Sequence, residues 1–298
     1  MKKSLLFSLV VILLSAFSQV FAQPAPAMGP PNVLLIVREE IKPGMMGVHN
    51  RHSAEFTSIF SELQTPNHRI ALVPVAGNEN EVLYITPLDS FAELETMNRA
   101  TDSKLESAKG LTRAKLDRLD KEGPVLHAAM RDMLAVYRPE LSFNPGVNIA
   151  QMRYFSITTT RVRPGFDAQY VDYIQKILNV ARRDAKVSNL HTAVFQVISG
   201  TQAGTYISFR PMKSLAEFDE PIPRKVRAAM GDDMKKDADK AVRETIMSQE
   251  ASIFAFAPRM SYVEKGMADA DPAFWNPKPA TATEAKPKRR AANHHRPR

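Results

Sequence analysis

The sequence predicts an α+β protein made of two tandem units with the same β-α-β-β-α-β order, and three observations carry that prediction. Short segments recur in one order: Val37-Arg-Glu-Glu-Ile-Lys-Pro-Gly44 returns as Thr158-Thr-Thr-Arg-Val-Arg-Pro-Gly165, and Tyr84-Ile-Thr returns as Tyr206-Ile-Ser. Ser90-Phe-Ala-Glu-Leu then returns as Ser214-Leu-Ala-Glu-Phe, and Tyr137-Arg-Pro-Glu-Leu-Ser-Phe143 as Phe256-Ala-Pro-Arg-Met-Ser-Tyr262. The unit is about 120 residues, the size of a domain rather than of a solenoid repeat. Each copy moves from β-branched runs to helical periodicity and back, and the chain has no cysteine to hold it by other means than a core.

In the first copy, Asn32 to Ile41 is apolar and β-branched and stops at Lys42-Pro-Gly44, so it is a strand running into a turn. Met45, His49, His52, Phe56, Ile59, Phe60 and Leu63 then recur every three or four residues, one face of a helix. Arg69 to Ala76 and Glu81 to Thr86 flank Gly77-Asn-Glu-Asn80, which makes a hairpin. Ser90 and Glu93 have capping-box spacing and start a short helix. A longer helix is expected over Ala108 to Leu134 and a closing strand over Val136 to Phe143.

The second copy repeats the order. It has a strand over Met152 to Val162, a helix over Phe166 to Ala185, and strands over Leu190 to Ser199 and Thr205 to Arg210. A short helix at Ser214 comes next, then a long one over Pro223 to Gln249 and a strand over Ser252 to Val263. This is the split βαβ, ferredoxin-like arrangement, an antiparallel sheet with helices on one face. The bare faces of two such sheets can bury each other within one chain.

The ends of the chain are of a different kind. Lys2 and Lys3, an apolar run to about Phe17 and Val20-Phe21-Ala22 have the order of a secretory signal, which predicts residues 1–22 as a signal peptide and a periplasmic or secreted protein. Residues 23–31 are expected as a disordered linker, 32–147 and 148–264 as the two repeats, and 265–298 as a disordered basic tail. The formal charge of +8 lies in these ends. The tail from Pro277 holds seven Lys and Arg against Glu284, and Lys2 and Lys3 supply the remainder, so the folded part is neutral. No nucleic-acid partner is therefore expected, although the tail suits an anionic surface. Without cysteine, iron–sulfur clusters, thiol nucleophiles and covalently attached haem are excluded. There is also no G-x-G-x-x-G, Walker loop, H-E-x-x-H or G-x-S-x-G.

The strands ending in Ile41-Lys-Pro-Gly44 and Val162-Arg-Pro-Gly165, each followed by a helix with an early aromatic or histidine, resemble the first β-α step of the dimeric α+β barrel superfamily. That group includes NIPSNAP-like proteins and antibiotic-biosynthesis-monooxygenase-like domains. The resemblance covers about Asn32 to Val263 and implies that the two antiparallel sheets pair as an intrachain dimeric α+β barrel, with a pocket between sheet and helices. Its members include cofactor-free oxygenases and haem-handling enzymes, none of whose catalytic signatures is matched here.

The residues that stand out are His49 and His52, one helical turn apart, with Tyr170 and Tyr173 as their counterparts in the second copy. Two imidazoles at this spacing can share a metal, but a third ligand, Glu39 or Glu55, has to be placed beside them. The plainer reading is amphipathic rings with satisfied tips at a helix end. His127 is a further axial candidate for haem, but its counterpart is Ile246, which favours a packing position. Arg38, Tyr84 and Tyr206 could line a pocket mouth for a small anionic or aromatic ligand. No resident cofactor is expected; if haem or a transition metal were held, His49 and His52 are the first ligands to test.

Two functions are compatible with these residues. The first is a monomeric, non-catalytic small-molecule-binding or interaction protein using the pocket. The second is a cofactor-free oxygenase or a haem- or metal-dependent small-molecule enzyme. The first is the reading adopted and the second its alternative, with His49 and His52 the residues that test the second.

Overall fold

A computed structural model describes residues 29–277, so the expected signal peptide, residues 23–28 of the linker and the basic stretch from Lys278 lie outside the described residues. Among the described residues no helix is long and apolar enough to cross a membrane.

Eight strands form a closed antiparallel barrel in the order β1-β3-β2-β8-β5-β7-β6-β4. They are β1 (Val33–Ile41), β2 (Ile70–Ala76), β3 (Glu81–Leu88), β4 (His127–Tyr137), β5 (Tyr154–Val162), β6 (Ala193–Ser199), β7 (Thr205–Met212) and β8 (Ile246–Phe256). Within the first half, β1 lies between β3 and β4 and β2 pairs with β3. Within the second, β5 lies between β7 and β8 and β6 pairs with β7. The halves meet at two seams, β2 with β8 and β4 with β6.

Period-two alternation decides what each face does. Leu34, Ile36, Leu83, Ile85, Phe155, Ile157, Phe209 and Phe254 point inward and fill the barrel as one apolar cluster. Each large side chain so buried contributes about 1.5–3 kcal/mol. The outer faces are covered by helices. Over the first sheet lie α1 (Met46–Leu63), α2 (Phe91–Glu106) and α3 (Gly110–Leu126). Over the second lie α4 (Asp167–Asp172), a π-helical turn at Tyr173–Leu178, α5 (Asn179–Asp184), α6 (Ile222–Ala229) and α7 (Asp232–Thr245).

Three expectations change. The long helix expected to reach Leu134 stops at Leu126, and β4 begins at His127; likewise α7 stops at Thr245 and β8 begins at Ile246. Ala128-Ala-Met-Arg-Asp-Met and Met247-Ser-Gln-Glu-Ala are helix-favouring by composition, but β1 and β5 offer them ladders that outweigh propensity. The short helix at Ser90 is 16 residues long.

The basic tail expected to be disordered from 265 is ordered to Trp275, as α8 (Lys265–Ala270) and α9 (Pro272–Trp275). Trp275 packs on Phe256 with ring centroids 5.9 Å apart and donates its Nε1–H to the Ala150 carbonyl at 2.9 Å, while Arg153 pairs with Asp271. These contacts close one end of the barrel with apolar surface that would otherwise face water.

The other end is polar. Arg38 and Glu81, bonded at 2.6 Å, stand with Thr159, Glu250 and Ser252 around a cavity of about 40 Å³, room for little more than water. Gly200, at φ +90°, lets β6 leave β4 there, because a Cβ at this position would collide with the Asp132 carbonyl oxygen.

Candidate metal centre

The first half carries a cluster of titratable side chains on its outer face, beneath α1. Glu39 follows Arg38 on β1 and so points the opposite way, outward under the helix. His49 sits one turn into α1, 1% exposed, on the buried side of the amphipathic helix. His127 is the first residue of β4. Plain alternation from the outward Met130 would turn it into the barrel, but the ladder slips between Glu40 and Ile41, pairing Ile41 with His127. This bulge turns the imidazole outward toward Glu39.

The three groups converge. His49 Nε2 lies 2.7 Å and His127 Nε2 3.3 Å from the same Glu39 oxygen, Oε2. One donor atom from each of the three residues falls within 4.8 Å of the others. His127 Nδ1–H donates to the Gly123 carbonyl at 2.8 Å, which fixes the ring and leaves Nε2 as the atom facing the cluster. Burial pushes the Glu39 carboxyl up, but the hydrogen bonds from His127 and His49 and the charge on both rings outweigh it, holding the group at about 2. The bond to Glu39 raises His127.

Around this cluster, Tyr84 is buried and its hydroxyl bonds Ser53 Oγ, and burial raises the phenol far above its ordinary value. The Arg69 guanidinium stacks 4.2 Å from the Tyr84 ring centroid and 5.0 Å from that of Phe60, with its Nε enclosed and without a hydrogen-bond partner.

The residues singled out by sequence are thus distributed over several places. His49 is in the cluster. His52, on the same helix, turns away and donates Nε2–H to the Leu119 carbonyl at 2.9 Å. Arg38 is on the inner face at the polar mouth, and Glu55 is exposed and paired with Arg118. Tyr170 and Tyr206 stack in the second half at 4.9 Å, the Tyr206 hydroxyl donating to Asp167 at 3.0 Å. Burial pushes both phenols up to about 12. Tyr173 opens the π-helical turn close to the buried Arg182, which burial brings down to about 10.

The ladders also realign one sequence match. Tyr206 pairs with Thr160, and Thr160 holds the place in β5 that Glu39 holds in β1, where Glu39 pairs with Val82. Tyr206 is therefore equivalent to Val82, and Tyr84 to Ser208, two residues away from the match that sequence suggested. Glu39 and His127 were visible as residues, but their meeting depends on the bulge, which no local pattern in the sequence marks.

A small ion suits the Glu39, His49 and His127 donors, because imidazole and carboxylate together favour a divalent transition metal. A haem does not fit them. Both Nε2 atoms are aimed at one carboxylate oxygen, and His49 is fully covered.

No protein-family model matches the sequence, and no curated protein matches it. Solved structures are similar in fold. A candidate monooxygenase of Fusobacterium nucleatum is 9% identical over 77% of this chain and 94% of its own, with a TM-score of 0.45. An anthrone oxidase-like protein is 13% identical over 78% and 94%, with a TM-score of 0.48. A chlorite dismutase of Candidatus Nitrospira defluvii is 9% identical over 79% and 95%, with a TM-score of 0.46. These neighbours are dimeric α+β barrel proteins at low identity, and no chemistry is carried from them to this chain.

Proposed function

We propose that this chain binds one divalent transition metal ion through Glu39, His49 and His127 and uses it on a small molecule. The observation that carries this reading is the convergence of two imidazole nitrogens and a carboxylate within 4.8 Å, in a buried place. Three protein ligands leave coordination positions free, the pattern of a working rather than a purely structural site. Gly123, which accepts from His127, is the outer partner that sets a ligating imidazole's tautomer. Bound there, the metal would supply Lewis acidity to a ligand oxygen. The chain's residues hold the ion and exclude water around it, and the Arg69 guanidinium lies on the same covered face to meet negative charge.

A second reading is favoured by the 2.7 Å contact itself: Glu39 and the two histidines act as a metal-free acid–base group. Titration of metal-free protein with Co²⁺ separates the two. One equivalent bound with a visible ligand-field spectrum, lost in His49→Ala and His127→Ala but kept in His52→Ala, supports the metal. No binding, or binding that survives both substitutions, overturns it.

The reading extends to the whole chain. The two halves are ferredoxin-like repeats of one duplicated unit, supported by their common element order and by the matching ladder slips at His127 and Ile246. Export is proposed from the first 22 residues alone, and mass spectrometry of the mature N-terminus tests it.

A further inference from the structure

Across the β1–β4 ladder, Glu39 is paired with Met130 and Ile41 with His127. Side chains directly opposite each other in an antiparallel pair share a face, with Cβ atoms about 4.5–5.5 Å apart. Met130 is therefore on the outer face with Glu39 and beside His127. Unlike the three donors, which are covered in whole or in part, it is 57% exposed. Its side chain is unbranched, with three rotatable bonds and a polarisable sulfur, so it can turn toward the cluster or away from it.

The second half shows how far a side chain at this point reaches. Thr160 holds the place of Glu39, and Gln249 is opposite it in β8, the place that Met130 takes in β4. Gln249 is exposed too, yet it crosses the ladder and donates Nε2–H to Thr160 Oγ1 at 3.0 Å. A methionine sulfur comes one bond before the glutamine nitrogen along the chain. A glutamate oxygen comes two bonds after the threonine oxygen. The reach that joins the pair in the second half therefore suffices to bring the Met130 sulfur to an ion held on Glu39.

We infer that the ion of this site is copper and that the Met130 thioether is a fourth ligand beside Glu39, His49 and His127. This inference rests on the metal reading proposed above. Imidazole and carboxylate donors hold Cu²⁺ more tightly than the other first-row divalent ions, and a thioether is a preferred donor for Cu⁺. The chain has no cysteine, so methionine is its soft donor. Met130 thus keeps copper in place when Cu²⁺ is reduced. Toward Cu²⁺ it is a weak ligand, which leaves the positions open for a small molecule in that form. The second half, with Thr160, Tyr170, Ile246 and Gln249 at the four places, has lost every one of these donors.

Competition between the full chain and bicinchoninate for Cu⁺, under ascorbate and without oxygen, tests it together with X-ray absorption at the copper edge. One equivalent of Cu⁺ with sulfur in its shell is expected, and without cysteine that sulfur belongs to a methionine. Met130→Leu and Met130→Gln, the second supplying the side chain of the sister half, should each remove the sulfur. Each should lower Cu⁺ affinity at least about tenfold while Co²⁺ affinity stays within about twofold. Because Met130 is exposed, both variants should keep the parent's urea midpoint. No sulfur in the parent's copper shell, or sulfur and Cu⁺ affinity that persist in both variants, overturns the inference. So does a loss of Co²⁺ affinity as large as that of Cu⁺, since the thioether would then not discriminate. In each of those cases Co²⁺ bound by the parent leaves the three-donor reading standing, whereas a parent that binds neither ion overturns both.

Discussion

The two halves of the barrel share a frame and differ in the side chains they bury under the first helix. In the first half that place holds Glu39, His49 and His127; in the second it holds Thr160, Tyr170 and Ile246. The second set is closed by packing and short polar contacts: Tyr170 stacks on Tyr206, and Thr160 is hydrogen-bonded to Gln249 and Tyr170. The first set is closed by charge and proton sharing around one carboxylate. The second half shows that the fold has no need of an ionisable cluster at this position. A cluster that the fold does not need points to work done by the first half, because burying a carboxylate costs free energy that its partners must offset.

The comparison breaks most visibly at Glu39. Glu39→Ala leaves two imidazoles aimed at nothing and should destabilise the metal-free protein by about 3 kcal/mol in urea denaturation. Thr160→Ala at the equivalent place should cost about 1 kcal/mol. Equal losses would show that the carboxylate is no more than another polar contact.

Exchanging the whole set is the next largest effect. Glu39→Thr, His49→Tyr and His127→Ile together should leave a folded barrel and reduce Co²⁺ affinity by at least about a hundredfold. The single substitution Gly123→Pro is a poor alternative, because it changes the helix that carries the accepting carbonyl. Retained metal affinity in the triple variant would move the site elsewhere.

Acid sharpens the contrast further. Glu39 titrates near 2 in the folded chain, well below an ordinary glutamate at 4.5. A carboxyl depressed by folding stabilises fully above its unfolded value, and that contribution is lost as pH falls from about 4.5 towards 2. Peptides from β1 and α1 should therefore gain hydrogen exchange in that window before those from β5 and α4, and Glu39→Thr should abolish the difference. The alkaline limb does not discriminate. Burial raises Tyr84 in one half and holds Tyr170 and Tyr206 at about 12 in the other, so both halves lose stability as pH rises past 10.

Much of the frame was legible in sequence because period-two runs ending in Pro-Gly are local signals, as at Ile41 and Val162. The starts of β4 and β8 were not, because Ala, Met and Glu favour helix and only the neighbouring strand overrules them. At the site, His49 was legible from its place on the buried face of α1. The isoleucine at its counterpart, Ile246, argues for His127 as a packing position, an inference that assumes both halves keep one role. Its partnership with Glu39 depends on a one-residue slip in a ladder, and such slips leave no periodic trace.

The smallest effect concerns a device that both halves retain. Ser90 Oγ accepts from the Glu93 amide at 3.1 Å while the Glu93 carboxylate accepts from the Asp89 amide at 2.6 Å. Ser214 Oγ accepts from the Ala216 amide at 3.2 Å, and Glu217 accepts from the Lys213 amide at 2.8 Å. The caps match, but the first starts the 16-residue α2 and the second a single four-residue 3-10 turn, Leu215–Phe218, because Pro221 and Pro223 come within the next turn. A cap stabilises by satisfying amides that the helix would otherwise leave exposed, and its effect grows with the helix that depends on it. Ser90→Ala should therefore cost about 1 kcal/mol and Ser214→Ala about half of that in urea denaturation. Equal costs would mean that the serines hold the strand-to-helix corner itself, and that the length of the helix they start is irrelevant to them.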